Sequence, residues 1–454
     1  MSEASHHDPV ARIDPRALLS LLLGVIVVTI DISLTSTAVP AIAKSLGATP
    51  KNTIWIINAY YLTVVAALLP LGALGEIVGH RRIFSLGLGV FAAGALASGL
   101  ADSLLVLMFS RGLLGLGAAA VSATTPALIK SLYPPDKIGR GLGLYAMIVG
   151  VAFTAGPTVV SAVLSVATWH WLYLGNAPLA LLALLLTRGG LPTTERATRP
   201  FDPIAAILCA LMFAALLTTL SSLGHLKWLP LMVGLVATIV FGMSLKRREG
   251  GRTAPILAID LFRIRLFALS SYTAISAFIV QASVFVTLPL LLTLDLGYSQ
   301  VQTGLLITPW PAALIITNGI SGRLSERIQP GGLGAIGMCA VAVGIMLLAT
   351  LPQDAGPMGL AWRLTLCGVG FGLFQSPNMV ALMSSAPKDR SGSAGGILAT
   401  SRLLGQSIGA AAVAFCLAIF GENGIEASLW LGAIMAFLSA SISASRLSGW
   451  GKRS

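Results

Sequence analysis

The chain has 454 residues, 56% hydrophobic and only 10% charged, with a mean hydropathy of +0.87. Soluble globular chains carry about 25% charged residues, so this composition excludes a water-soluble enzyme and marks an integral membrane protein. The net charge of +12 would suit a nucleic-acid binder, but the basic residues lie in short loops between apolar runs, a pattern of membrane topology that argues against nucleic acid as a partner.

A helix needs about 20 apolar residues to cross the hydrocarbon core. In chain order such runs occur at 17–39, 54–75, 83–101, 104–129, 140–166, 170–187, 204–223, 228–245, 268–292, 302–322, 333–350, 358–383, 394–420 and 427–446, fourteen in all. The first run lacks a small-residue cleavage site followed by a hydrophilic start, so it reads as a retained span. Placing the N-terminus inside puts 23 of the 29 Lys and Arg residues on the cytoplasmic side. Lys44, Lys51 and Lys227 fall outside, and Arg111, Arg363 and Arg402 fall within spans. The expected protein is a multi-pass inner (plasma) membrane protein with both termini cytoplasmic.

The longest polar stretches, 188–203 and 246–267, flank the seventh and eighth runs, and the second contains Lys246-Arg247-Arg248 and Arg263-x-Arg265. Such segments suit connectors lying on an anionic leaflet. The expected organisation is an N-terminal six-helix bundle over 1–187, two inserted helices with cytoplasmic connectors over 188–267, and a C-terminal six-helix bundle over 268–454. A weak internal repeat agrees. Gly72-Ala73-Leu74-Gly75-Glu76 after the second span matches Gly322-Arg323-Leu324-Ser325-Glu326 after the tenth, and Arg111-x3-Gly115-x-Gly117 matches Arg363-x4-Gly368-x-Gly370. Paired repeats mark secondary transporters; chance likeness in glycine-rich apolar sequence is the competing explanation.

Asp31 is the one acidic residue that falls at no membrane edge and in no loop. A carboxylate at that depth costs roughly 2.5–3.5 kcal/mol on insertion scales, so a chain that carries one generally uses it. Asp31 lies about eight residues, roughly 12 Å, from the outer end of its span, and Arg111 about seven, roughly 10 Å, from the outer end of the fourth. Equal depth permits pairing, and two roles stay open: a proton-loading site, or a fixed structural ion pair. Arg402 is also deep, with three roles open: pairing, lining a cavity or snorkelling. Arg363 is nearer the outer edge and reads as a snorkelling side chain.

The loop from Gly72 to Arg82 reads Gly-x-Leu-Gly-Glu-x-x-Gly-His-Arg-Arg. Gly72, Gly75 and Gly79 allow a tight turn and close helix approach. Glu76 can meet the positive end of a neighbouring helix or a basic side chain, while Arg81 and Arg82 hold the loop in the cytoplasm. The plainer alternative is a short positive-inside turn. At this loop the chain resembles the major facilitator superfamily, which usually has Asp where this chain has Glu76.

Further segments resemble the fourteen-span drug–proton antiporter branch of that family. They are Asp31-x6-Ala38-x-Pro40 in the first span, Trp55-x4-Tyr60-Tyr61-Leu62 in the second, and Trp169-His170-Trp171 leading to Asn176-Ala177-Pro178 in the sixth, where His170 replaces the usual Arg. The likeness covers nearly the whole chain, including Gly392 through Arg402, Gln406 and Gly409. The fifth span runs Gly143-x12-Gly156-Pro157. Pro157 removes a backbone donor and kinks the helix, and the glycines permit close contact with a helix of the other half. In the family this segment marks exporters, but here Val160-Ser161 stand where a further glycine pair is expected. An ordinary proline kink remains the alternative.

The resemblance implies an all-α integral membrane major facilitator fold of two pseudo-symmetric six-helix bundles plus two inserted helices. It further implies export of hydrophobic or cationic small molecules in exchange for protons, by alternating access, with Asp31 and Arg111 at the coupling site. Candidate cavity residues are Trp55, Asn58, Tyr61, Gln281, Trp310, Asn318, Gln375, Asn378, Arg402 and Gln406. For each amide, interhelical bonding is as good an explanation as substrate contact. No catalytic motif, phosphate loop or metal spacing is present, and Cys209, Cys339, Cys367 and Cys416 read as core hydrophobes. No cofactor is expected, and the partners are a small-molecule substrate, protons and the lipid bilayer, with the chain acting as a monomer. Two alternatives stay open: an exporter of one metabolite (an amino acid, sugar or siderophore), proton-coupled or passive, and a non-transporting membrane receptor or scaffold.

Overall fold

A computed structural model describes residues 14–48, 50–192, 196–223, 228–250, 255–298, 300–325, 327–352 and 355–447, and among these all regular structure is helical. Glu326 of the internal repeat, His225, Lys227 and the N-terminal His6 and His7 lie outside the described residues. The first half contains α1 (Pro15–Ser45), α2 (Pro50–Val78), α3 (His80–Gly99), α4 (Leu104–Leu132), α5 (Ile138–Leu164) and α6 (His170–Gly190). Then come α7 (Pro203–Leu223) and α8 (Trp228–Glu249). The second half contains α9 (Arg265–Leu290), α10 (Gln300–Ile307), α11 (Pro309–Leu324), α12 (Pro330–Ala349), α13 (Gly356–Ser385), α14 (Ser391–Phe420) and α15 (Gly424–Ala444).

By length and composition thirteen of the described segments can cross a membrane, and α5 contributes a shorter apolar stretch, Ile138–Phe153. Every apolar run of the sequence therefore meets a helix, with one difference. The run 302–322 is broken at Thr308, because Pro309 has no N–H to continue the ladder. Thr308 N bonds back to Leu305 O at 3.2 Å, and regular bonding resumes with Ala312 N to Thr308 O at 3.1 Å.

Successive spans alternate in direction, so the turns near Gly79, 134–137, 196–199, 255–264 and 386–390 gather at one end. That end carries Arg81, Arg82, Arg199 and Arg390 and is called the basic end below. The turn from α2 to α3 is made at Gly79, whose φ of +109° a side chain would strain.

In the first half α4 packs between α2 and α3, and α1 lies on α5 and α6. In the second, α13 packs on α11 and α12, and α9 on α14 and α15. Two seams join the halves: α5 on α11, and α2 with α4 on α14. The first-half core, with Tyr60, Phe84 and Phe91, continues through the second seam into Leu382, Met383 and Ile397. Trp310, Phe371 and Phe374 centre a separate core in the second half. The helix α7 leans on both α2 and α14, whereas α8 packs chiefly on α7 and exposes Leu229, Val233 and Val236, as a lipid-facing helix does. Cys209, Cys367 and Cys416 are buried, but Cys339, expected in the core, is exposed on α12.

The repeat glycines occupy equivalent places in the two seams. A Cβ on Gly72 would lie 2.7 Å from the Gly392 carbonyl oxygen, and one on Gly322 would lie 2.8 Å from Gly143 Cα. Gly143 therefore meets the other half, as expected. Gly156 does not: a Cβ there would overlap Ser33 of α1 in the same half, and Ser33 Oγ already donates to Phe153 O at 2.7 Å. Pro157 follows within α5, where only its backbone is described.

Candidate functional site: a buried ion pair, a central cavity and a latch

Asp31 lies near the middle of α1 and is 0% exposed. Arg111 of α4 is equally sealed, and its Nη1 donates to Asp31 Oδ2 at 2.6 Å. The spacing argument thus places the two charges together, and the structure adds the walls around them. The Tyr60 ring of α2 lies 4.5 Å from the guanidinium and the Tyr173 ring of α6 lies 5.6 Å from it, both within cation–π range. Arg111 Nε reaches Ile56 O at 3.5 Å, and Tyr173 Oη shares a hydrogen bond with Thr35 Oγ1 at 3.2 Å. Asn176 of α6 flanks the carboxylate. Yet Asp31 Oδ1 and Asn176 Nδ2 are both buried without a hydrogen-bond partner. Removing either ion would strand the other at a cost of about 3–5 kcal/mol. The open Oδ1 is the atom that can take a proton without first breaking the bond to Arg111.

Between the halves lies a narrow cavity of about 20 Å³ bordered by α4, α5, α9, α13 and α14, room for a water molecule and far below the roughly 300–1,000 Å³ usual for small-molecule sites, so a substrate needs the halves to part. Phe278, Met379 and Leu398 give it apolar walls, and Tyr145, Gln375 and Arg402 give it polar ones. Of the residues expected in a cavity, Gln375 and Arg402 line this one. Asn318 stands behind it, donating from Nδ2 to Gln375 Oε1 at 3.1 Å and so orienting that amide. Tyr61 is within electrostatic reach of Arg402. Asn58, Gln281 and Gln406 are half-buried and outside the lining.

Two of the expected cavity aromatics lie elsewhere, and Asn378 takes the interhelical one of its two open roles. Trp310 is core: it is 0% exposed and packs on Phe285 with centroids 5.5 Å apart. Asn378 is interhelical glue, donating to Ser270 O at 3.0 Å and accepting from Arg446 at 2.7 Å. Trp55 is 44% exposed on the opening turns of α2, away from the cavity. Arg363 near the end opposite the basic one bonds Gly359 O at 2.6 Å and stacks over Trp362 at 4.7 Å.

At the basic end the halves are latched. Glu76, 1% exposed, accepts the Ser393 N–H in the first turn of α14 at 2.5 Å. It also accepts from Arg390 Nη1 at 3.3 Å and pairs with Arg199. Of the two partners the sequence offered it, a helix N-terminus and a basic side chain, it takes both. Arg390 is shared with Asp260, at 2.8 and 3.1 Å, and with Pro255 O at 3.0 Å. The Glu76 carbonyl accepts from Ala197 N at 2.8 Å. Both connectors of the inserted helices thus reach this cluster, through Ala197 and Arg199 on one side and Pro255 and Asp260 on the other. Burial lowers the affinity of the Arg199 guanidinium for its proton and Glu76 opposes that effect. A second clasp comes from Lys130 of α4, which donates to Met383 O at 2.7 Å and Ala386 O at 2.9 Å where α13 ends. Carboxylate at a helix N-terminus and ammonium at a C-terminus both match the helix dipole. Arg81 ties the loop to Leu191 O at 3.2 Å and Arg188 O at 2.9 Å, while Arg82 is exposed.

Sequence reasoning missed Lys130, Arg199, Asp260 and Arg390, because ordinary loop charges do not reveal which of them cross a seam. Tyr60 and Tyr173 were visible only as parts of aromatic motifs.

Comparison with known proteins agrees with this architecture. Residues 21–410 match the model of the Major Facilitator Superfamily. The chain is 43% identical to the uncharacterized transporter YebQ of Escherichia coli K12, over 95% of each chain. It is 29% identical to the multidrug resistance protein Stp of Mycobacterium tuberculosis, over 91% of this chain and 77% of that one. The crystal structure of the human organic anion transporter MFSD10 has the same fold, with a TM-score of 0.69 at 16% identity, over 96% of this chain and 100% of that one. On these grounds, and with its helices arranged as described, the chain belongs to the major facilitator superfamily and is a multi-pass membrane transporter, not an enzyme.

Proposed function

We propose that this transporter exports hydrophobic small molecules in exchange for protons, by alternating access to the central cavity. The observation that carries the reading is Asp31: fully buried, held by Arg111 through one oxygen and open to a proton at the other. Protonation at Oδ1 would cancel the carboxylate's charge and release Arg111 toward the tyrosines around it. Deprotonation would restore the pair. Each proton entering down 100 mV supplies about 2.3 kcal/mol. The multidrug-resistance name of Stp supports a drug-like substrate.

In this state the close contacts between the halves run from the basic end to Gly150 and Ile315, near mid-helix. The positive-inside rule puts that end in the cytoplasm, so the conformer reads as outward-facing, with the latch bracing its inner side. Transport would then rock α1–α6 against α9–α15, with α7 and α8 as a lipid-side insert. The small cavity favours, as a second reading, export of one metabolite in place of many drugs. Purified protein in liposomes, with a pH dye inside and candidate substrates outside, tests both. Substrate-dependent proton movement that Asp31→Asn abolishes is expected; coupled movement undiminished in that variant would remove Asp31 from the mechanism.

A further inference from the structure

We propose that the central cavity selects amphipathic organic anions, with Arg402 as the group that holds the negative charge. This rests on the transporter reading above and adds to it the charge of the substrate. Arg402 is the eleventh residue after Ser391, the first of α14, so it sits about 16 Å along the helix from the basic end, close to mid-membrane. Its side chain lines the cavity, and its Nε is buried with no hydrogen-bond partner. Arg402 is itself partly exposed, whereas the buried guanidinium groups are matched, and Arg363, whose Nε is likewise unbonded, donates from Nη1 to Gly359 O. Arg111 has Asp31, Arg390 has Glu76 and Asp260, and Arg446 has Ser270, Asn378 and Ser443. Arg402 makes no such bond among the described residues.

A guanidinium keeps its charge at any physiological pH. Holding one at mid-membrane depth without a carboxylate partner is costly even where part of it reaches the cavity, so a chain that does so generally has a use for it. The remaining polar groups of the lining are neutral (Ser122, Tyr145 and Gln375), and no acidic residue lines the cavity among those described. Asp31, the acid that would have attracted a cation, is sealed and bound to Arg111, so that pair contributes no net charge. The cavity therefore carries a formal charge of +1.

In a low-dielectric pocket a carboxylate, sulfonate or phenolate gains a charge-assisted and often bidentate bond from guanidinium. A cation meets only repulsion. Gln375, held by Asn318, offers a second polar contact, and Phe278 and Met379 face the apolar body once the halves part and the cavity of about 20 Å³ widens.

The test uses two dyes of nearly one shape and opposite charge, fluorescein methyl ester as its monoanion at pH 8 and rhodamine 123 as a cation. Binding to the purified full chain is read by fluorescence anisotropy, and transport is read in liposomes. The anion should bind at least tenfold tighter than the cation. Arg402→Gln should erase the preference, and Arg402→Lys, which keeps the charge, should retain most of it. Equal binding, tighter rhodamine, binding of neither dye, or a preference unchanged in Arg402→Gln overturns the proposal. The wild-type comparison decides by itself if the glutamine variant does not fold. Charge-selective binding without transport of either dye would count against the exporter reading and leave the anion preference standing.

Discussion

Replacing Glu76 by Gln should open the basic end. The carboxylate accepts a charge-assisted bond from Arg390 and one from the Ser393 N–H, both on the far side of the seam, and a third from Arg199. Glutamine keeps the size and one acceptor oxygen but loses the charge, and its amide brings N–H groups toward two guanidinium groups. Breaking a buried pair by removing one partner costs about 3–5 kcal/mol. Arg390 keeps Asp260, so the cost drops to the bottom of that range or below it, about 2–3 kcal/mol. The bonds to Ser393 and Arg390 exist only while the halves touch, so the loss falls on the closed conformer. At 1.4 kcal/mol per factor of ten, the closed-to-open ratio should fall roughly 30- to 150-fold, enough to turn a 99:1 mixture into one with a large open fraction. Spin labels at Ser131→Cys and Arg327→Cys, exposed positions on opposite halves at the basic end, would report it in a background with the four native cysteines replaced. A second, longer distance should appear in the glutamine variant. An unchanged single distance would refute the latch as a determinant of this conformer. Transport should slow, because one state is no longer braced, while substrate binding persists.

Other perturbations test separate parts of the structure. Asp31→Asn should leave the protein in the membrane but abolish proton-driven efflux; in inverted vesicles, undiminished substrate-dependent proton release would contradict the coupling role. Lys130→Met keeps the aliphatic stem and removes both bonds to the end of α13, each worth about 1.5–3 kcal/mol for a charged donor. The same spin-label pair should show opening, and a distance distribution matching wild type would exclude Lys130 as a clasp. Gly72→Val would drive a side chain into the Gly392 backbone, so the seam must part; labels should read a wider basic end, with stability of the separate cores little changed by thermal denaturation. Asp260→Asn should weaken the hold on Arg390 and shift the closed state by less than Glu76→Gln does, and an equal or larger shift would mean that the inserted connector, and not α2, dominates the latch.

Much of this protein follows from the order of residues alone. Hydropathy sets the spans, since a run such as 104–129 has no low-energy alternative to a membrane helix once every backbone group must be bonded internally. The depth of Asp31 and Arg111 follows from counting residues along a helix of fixed rise, which is why their pairing could be read in advance. The repeat glycines, Gly72 and Gly322, mark where backbones must approach closely. The tertiary structure decided what no periodicity encodes, namely which helices become neighbours across a seam. That choice made Trp310 core, gave Asn378 to Arg446 and turned Gly156 toward α1. It also brought Lys130, Arg390, Arg199 and Asp260 to the latch from loops far apart in sequence. Asp31 is neutralised by Arg111, as their equal depth allowed, and Arg402, for which three roles stood open, is the charge that lines the cavity. A charge acts through its surroundings, and only the packed helices determine whether a partner stands within bonding distance.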